Sequence, residues 1–200
     1  MSSSAPSYDY IIVGAGSAGC VLANRLSEDP SARVLLIEAG PADRDPMIKI
    51  PLVWLKFVQN KRHDWGYDTQ PEPHMDDREI ECVRGKVLGG CSSINAMTFV
   101  RGNAGDFERW KRAGLEHWGY DNVLPYFKKM EDHTHGENAA HGVGGPIAVT
   151  DTLPSNDASF KFLEAAVAAG IPRVSDLNTG DQHGIATVQG TIRNGRRSST

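Results

Sequence analysis

The 200-residue chain has little cysteine, no surplus of positive charge and no long apolar run, and each shortage removes a class of protein. Cysteine occurs three times, at Cys20, Cys82 and Cys91, which gives neither the even count of a disulfide scaffold nor the paired spacing of a zinc site. That usage fits a reducing compartment, and a cytoplasmic protein is the expectation. The 21 Lys and Arg against 25 Asp and Glu leave a net charge of -4 with the cations scattered, so no nucleic-acid face is expected. No stretch reaches the roughly 18 apolar residues of a membrane span. The opening MSSSAPSYDY has neither the early cation nor the apolar centre of a signal peptide, and a short loose tail before Ser7 is expected instead.

Glycine, by contrast, is plentiful at 21 residues, and it clusters. The run Tyr8 to Val13 is β-branched and aromatic, as suits a strand buried on both faces. It breaks into GAGSAG, with Gly14, Gly16 and Gly19 spaced G-x-G-x-x-G. Val21, Leu22, Arg25 and Leu26 then recur at helical spacing, which predicts a helix ending near Asp29-Pro30, and a second apolar run, Val34 to Ile37, ends in Glu38. Strand, turn, helix and strand within about 30 residues make a right-handed βαβ unit.

That context gives the fingerprint its chemistry. Gly14 permits the tight turn, Gly16 lets the backbone approach a pyrophosphate, and Gly19 lets the helix pack closely on the sheet. The pyrophosphate meets unpaired N–H groups at the positive end of the helix dipole, and Glu38 is placed to bind a ribose hydroxyl pair. A carboxylate there repels a 2′-phosphate but does not separate FAD from NAD.

From Gly40 the chain turns to proline, aspartate and scattered aromatics, and residues 41–84 are expected as an irregular excursion covering the cofactor. Asp106 to Trp110 lead into one helix, and Tyr120 to Asp132 form another, with Val123, Leu124, Phe127 and Met130 on one face. His133 to Gly145 holds three histidines in a glycine-rich stretch that reads as a mobile loop, without paired carboxylates nearby, so no metal site is expected. PIAVTD reads as a strand. SNDASFKFLEAAVAAG reads as a helix opened by Ser155 or Asn156 and closed by Gly170, and a further strand follows within GIATVQGTIRNGRRSST.

The second glycine stretch, GKVLGGCSSINAMTFVRG from Gly85 to Gly102, fits the pattern G-[RK]-x-L-G-G-x-S-x-x-N. With IEAGP, DWGY, VLPYFKKMED and the first fingerprint, it resembles the glucose-methanol-choline (GMC) oxidoreductases, a family of flavoproteins, over nearly the whole chain. The resemblance implies FAD rather than NAD, since a nicotinamide-dependent dehydrogenase would leave Gly85 to Gly102 unexplained. Gly89 and Gly90 remove side chains where the backbone must pass close to the flavin, while Cys91, Ser92 and Asn95 offer small polar groups. In the family, positions matching Ser17, Ala18 and Glu38 hold the adenosine and pyrophosphate half. Those matching Val87, Cys91, Asn95, Ala96, Met97 and Thr98 lie along the flavin and its ribityl chain. Some members attach FAD through a histidine at the position of Ile94, which cannot form that bond, so noncovalent FAD is expected. Lys86 is expected as a solvated or phosphate-pairing side chain, and Arg84 and Arg101 as structural.

The expected fold is α/β: a doubly wound, Rossmann-like FAD-binding domain over residues 7–150, then the start of an α+β substrate domain with an antiparallel sheet over residues 151–200. The resemblance implies an oxidoreductase that takes an alcohol to an aldehyde or ketone and passes electrons to oxygen, a quinone or another carrier. Its proton-abstracting histidine and partner fall beyond Thr200 in the family, so no catalytic residue is assigned. His63, His74, His117 and His183 read as surface histidines. The fold also hosts hydroxynitrile lyases and a fatty acid photodecarboxylase, and a noncatalytic FAD-binding fragment is the third reading.

Overall fold

In the computed structural model, residues 6–152 and 156–200 are described. They form two compact units, one running up to Ala96 and including Gly195–Thr200, the other Met97–Asn194. The boundary expected after residue 150 falls inside the second unit.

In the first unit, strand β1 (Tyr10–Val13) pairs in parallel with β2 (Val34–Ile37), Ile12 opposite Leu36, and helix α1 (Ser17–Leu26) connects them. The turn out of β1 is made by Gly14 at φ +95°, a region glycine enters without steric cost. Its N–H donates to the Ile37 carbonyl at 2.7 Å, which carries the ladder one residue past the strand. The helix stops at Leu26 rather than near Asp29, because Ser27 caps it and the Asp29 carboxylate accepts from Ser31 N–H in a local turn. Only Ile12 of β1 is buried. Ile11 and Val13 are 61% and 82% exposed, which corrects the expectation of a strand buried on both faces: in this unit α1 packs against β1 and β2, and the outward side chains lie uncovered.

The excursion is more ordered than its composition suggests. Pro46–Lys49 form a single 3-10 turn, capped by Asp45, whose side chain accepts from Met47 N–H. Helix α2 (Trp54–Gln59) follows, then two short antiparallel strands, β3 (Tyr67–Asp68) and β4 (Glu81–Cys82). Ile48 and Phe57 from this segment are fully buried with Val87 and Ile94 of the second glycine stretch. The hydrophobic effect of those four side chains, each worth about 1.5–3 kcal/mol on burial, joins the excursion to the glycine stretch.

The second unit opens with β5 (Thr98–Phe99), followed by α3 (Ala104–Arg112), whose first turn is capped by Asn103 accepting from Gly105 N–H, and α4 (Tyr120–Met130). The chain continues through β6 (Glu131–His133), β7 (Ile147–Asp151), α5 (Asp157–Ala168), β8 (Gln189–Gly190) and β9 (Ile192–Arg193). A last strand, β10 (Arg196–Arg197), belongs to the first unit. Asn156 caps α5 by accepting from Ser159 N–H, and Gly170 follows its end at φ +92°, while Ser155 lies outside the described residues.

The sheet of this unit has the order β5-β8-β7-β6. Its β5–β8 and β7–β8 pairs are antiparallel, but β6 and β7 run parallel, Asp132 beside Ala148. The sheet is therefore mixed. Helical spacing predicts α4 as far as Asp132. In the structure the helix ends at Met130, where Glu131 turns to ψ 152° and enters the sheet.

Candidate functional site

The end of β1 and the start of α1 form an open cradle. A Cβ added at Gly14 or Gly16 would meet nothing within 4 Å, whereas one at Gly19 would stand 1.9 Å from the Gly14 carbonyl oxygen. The first two glycines thus face space and the third faces backbone, as a phosphate loop requires. The N-cap of α1 is Gly16, with no side chain to satisfy the first turn, and the first turn carries no acid. Ser17 and Ala18 are exposed beside this end, where N–H groups and the helix dipole favour an anion. Glu38 is half-buried and organises the loop from below: one carboxylate oxygen accepts from Ala15 N–H at 2.7 Å and the other from Gly40 N–H at 2.8 Å.

The second glycine stretch converges on the first. Gly89 N–H donates to the Ala15 carbonyl at 2.7 Å, and a Cβ at Gly90 would lie 2.8 Å from the Gly16 Cα. Both glycines take left-handed φ, +87° and +55°. Ser92 and Ser93 hydroxyls donate to the Gly89 and Leu88 carbonyls, fixing the turn from within. Cys91 is exposed, and its sulfur accepts from Gly85 N–H at 3.2 Å. Asn95 and Ala96 are also exposed, while Val87 and Ile94 are sunk in the core. Met97 and Thr98 belong to the second unit, where Met97 is buried at φ +61° and Thr98 pairs with Gly190 in the sheet. The cradle at Gly14 and Gly16, the bare helix end and the small exposed groups at Cys91 and Asn95 fit an extended dinucleotide such as FAD.

Two supports of this site carry no sequence signal. Arg197 is buried and holds the Ser92–Asn95 turn, donating to the Ser92 and Asn95 carbonyls and to Asn95 Oδ1. His63 is not a surface histidine: its ring meets Asp45 at 3.0 Å and its carbonyl accepts from Lys86 N–H at 2.7 Å. Burial pushes the Asp45 carboxyl up, but bonds from His63 and Met47 and the charge of Arg62 outweigh it and hold the group below the usual carboxylate range. His74, His117 and His183 are exposed, as expected. The Lys86 ammonium lies 4.5 Å over the Trp65 ring, a cation–π contact.

The second unit corrects the reading of His133 to Gly145. His133 and His141 are buried, their rings stacked at 3.8 Å. His141 reaches Glu131 at 3.0 Å and Asp176 at 2.8 Å through its two ring nitrogens, and Arg101 donates to the same Glu131 oxygen at 2.7 Å. Carboxylates are therefore close, brought from 35 residues away in the case of Asp176. One donor atom each of His133, His141 and Asp176 lies within 4.8 Å of the others. Those atoms hydrogen-bond one another or Gln189, in a buried polar cluster. Burial, and the charge of His141, lower the pKa of His133.

Residues 8–200 match the family model described as GMC oxidoreductase. An oxygen-dependent choline dehydrogenase of Xanthomonas campestris is 50% identical over 198 residues, covering 96% of this chain and 36% of that protein. Among solved structures, pyridoxine 4-oxidase from Mesorbium loti superposes with a TM-score of 0.91 at 40% identity, covering 96% of this chain and 38% of that one. A formate oxidase of Aspergillus oryzae, from a study of FAD modification, gives 0.84 at 32% identity, with 96% and 35% covered. The chain spans about a third of the length of these relatives.

Proposed function

The chain belongs to the GMC oxidoreductase family, and on that footing we propose that it forms the FAD-holding part of an enzyme that oxidises the CH–OH group of an alcohol to an aldehyde or ketone. The observation that carries the reading is the convergence of the two glycine stretches, Gly89 N–H on the Ala15 carbonyl, beside a bare helix end. When bound, FAD supplies the acceptor for the hydride that leaves the carbinol carbon. Gly14, Gly16, Ser17 and Ala18 take the pyrophosphate, Gly19 lets α1 pack closely beneath it, and Glu38 stands at the ribose. Val87, Gly89 and Gly90 let the backbone approach the flavin, and Cys91, Asn95, Ala96, Met97 and Thr98 line it.

The residues here bind and orient. Backbone N–H groups at the start of α1 neutralise the pyrophosphate, Gly14 and Gly16 keep side chains out of its path, and Gly90 lets the second turn close on Gly16. Ile94, at the position where some relatives carry a linking histidine, offers no nucleophile, so the cofactor is held noncovalently. Residues 7–150 are assigned to the cofactor domain and residues 151–200 to the start of the substrate domain. The alcohol's proton would go to a base that these 200 residues do not supply, and the electron acceptor would be oxygen or a quinone-type carrier.

Anaerobic addition of alcohols to the flavin-loaded, full-length protein tests this. Choline and pyridoxine, in the names of the relatives, are the first to try. Bleaching of the flavin by an alcohol supports the reading. A flavin that no alcohol reduces contradicts the alcohol assignment.

A further inference from the structure

Arg197 is 4% exposed, and its guanidinium makes four hydrogen bonds. Nε donates to the Ile48 carbonyl at 2.9 Å. One terminal nitrogen donates to the Ser92 carbonyl at 3.1 Å and to Asn95 Oδ1 at 2.8 Å, and the other to the Asn95 carbonyl at 2.8 Å. All four acceptors are neutral, and among the described residues no carboxylate pairs with this cation. Arg101, equally buried, shows the usual alternative, because Glu131 neutralises it at 2.7 Å. Burial pulls the Arg197 pKa down to about 10, which leaves the group charged at neutral pH.

A buried charge without a counter-ion acts over a longer range than a surface one, because little solvent screens it. This one is hydrogen-bonded to the side chain and carbonyl of Asn95, an exposed residue of the turn that meets the first glycine loop. We propose that Arg197 is a positioning residue that fixes Asn95 and, through its charge, raises the reduction potential of the FAD held by this turn. The inference rests on the FAD reading above. In the half-reaction the hydride carries its electron pair from the substrate carbon to the flavin, while the hydroxyl proton goes to a base. The flavin gains one negative charge, and a fixed cation lowers the energy of the reduced form relative to the oxidised one.

The test compares midpoint potentials of the full-length holoenzyme and its Arg197→Lys and Arg197→Met variants, by equilibration with a reference dye. Arg197→Met is expected to lower the equilibrium constant for flavin reduction at least tenfold, ~30 mV for a two-electron couple. Arg197→Lys keeps the charge and loses the forked bonds, so its equilibrium constant for flavin reduction stays within threefold of wild type while FAD is held more weakly. A Met variant with an unchanged potential, or Lys and Met variants that fall equally, would overturn the proposal. Should Arg197→Met fail to hold FAD, the pH dependence of Arg197→Lys decides. Its potential is to fall below that of wild type as the lysine loses its proton with rising pH, and parallel curves would overturn the role of charge. Wild-type protein that binds no FAD would refute the functional reading itself, before any variant is compared.

Discussion

Gly19 lies against Gly14 so closely that a Cβ on Gly19 would stand 1.9 Å from the Gly14 carbonyl oxygen. Gly16, two residues from that carbonyl, faces open space. Side chains at the two positions therefore have opposite consequences. Gly19→Ala forces α1 off β1 and is expected to cost about 3 kcal/mol of stability, as overpacking against rigid backbone does. Urea denaturation of the full-length protein measures it, and an unchanged midpoint would show that the helix is not packed as described. Gly16→Val leaves the fold intact and fills the cradle, so a folded protein without flavin is the expected product.

Glu38 accepts from both Ala15 and Gly40 N–H groups. Glu38→Ala removes both bonds and the ribose acceptor together and should weaken FAD binding well beyond Glu38→Gln, which keeps one oxygen. Equilibrium titration of the apoprotein with FAD separates them, and an Ala variant that binds FAD as tightly as wild type would deny the carboxylate its role.

In the second unit, Arg101 and Glu131 form a fully buried ion pair. Arg101→Met strands the carboxylate and is expected to cost about 3–5 kcal/mol, the usual penalty for breaking such a pair. Arg101→Met with Glu131→Gln should recover much of that loss. A double variant as unstable as the single one would mean that the pair matters for shape rather than charge.

The same cluster predicts acid sensitivity. His133 has its pKa lowered from 6.5, mainly by burial, so it is held neutral in the fold. Its contribution to stability is complete above pH 6.5 and is lost as pH falls from there through the folded value. Asp176 is lowered from 3.8, because bonds from Asn178, His141 and Gln189 outweigh burial, and its contribution is lost as pH falls below that value. Thermal midpoints across this range should decline first below pH 6.5, and His133→Gln should remove that first decline.

What could be read from the sequence was local. The β-branched run, the three glycines and Val34 to Ile37 specify β1, α1 and β2 because turn chemistry and helix packing act within 30 residues. Asn156 and Gly170 likewise mark the ends of α5. What escaped depends on distant partners. Nothing in HTHGENAAHGVGG announces that Asp176 and Arg101 will bury two of its histidines, and nothing in RNGRRSST announces that one arginine returns beneath Asn95. The outward apolar side chains of β1 escaped for a related reason: an apolar run reports that a strand can be covered, not what covers it.

The most direct test of the central claim is the absorption spectrum of the full-length protein beside its Gly16→Val variant, each recorded before and after denaturation. The account predicts flavin bands in the wild type that pass into free solution on denaturation, and a folded variant without them. Wild-type protein without flavin, flavin that stays with the denatured chain, or a variant that keeps its full complement would contradict it.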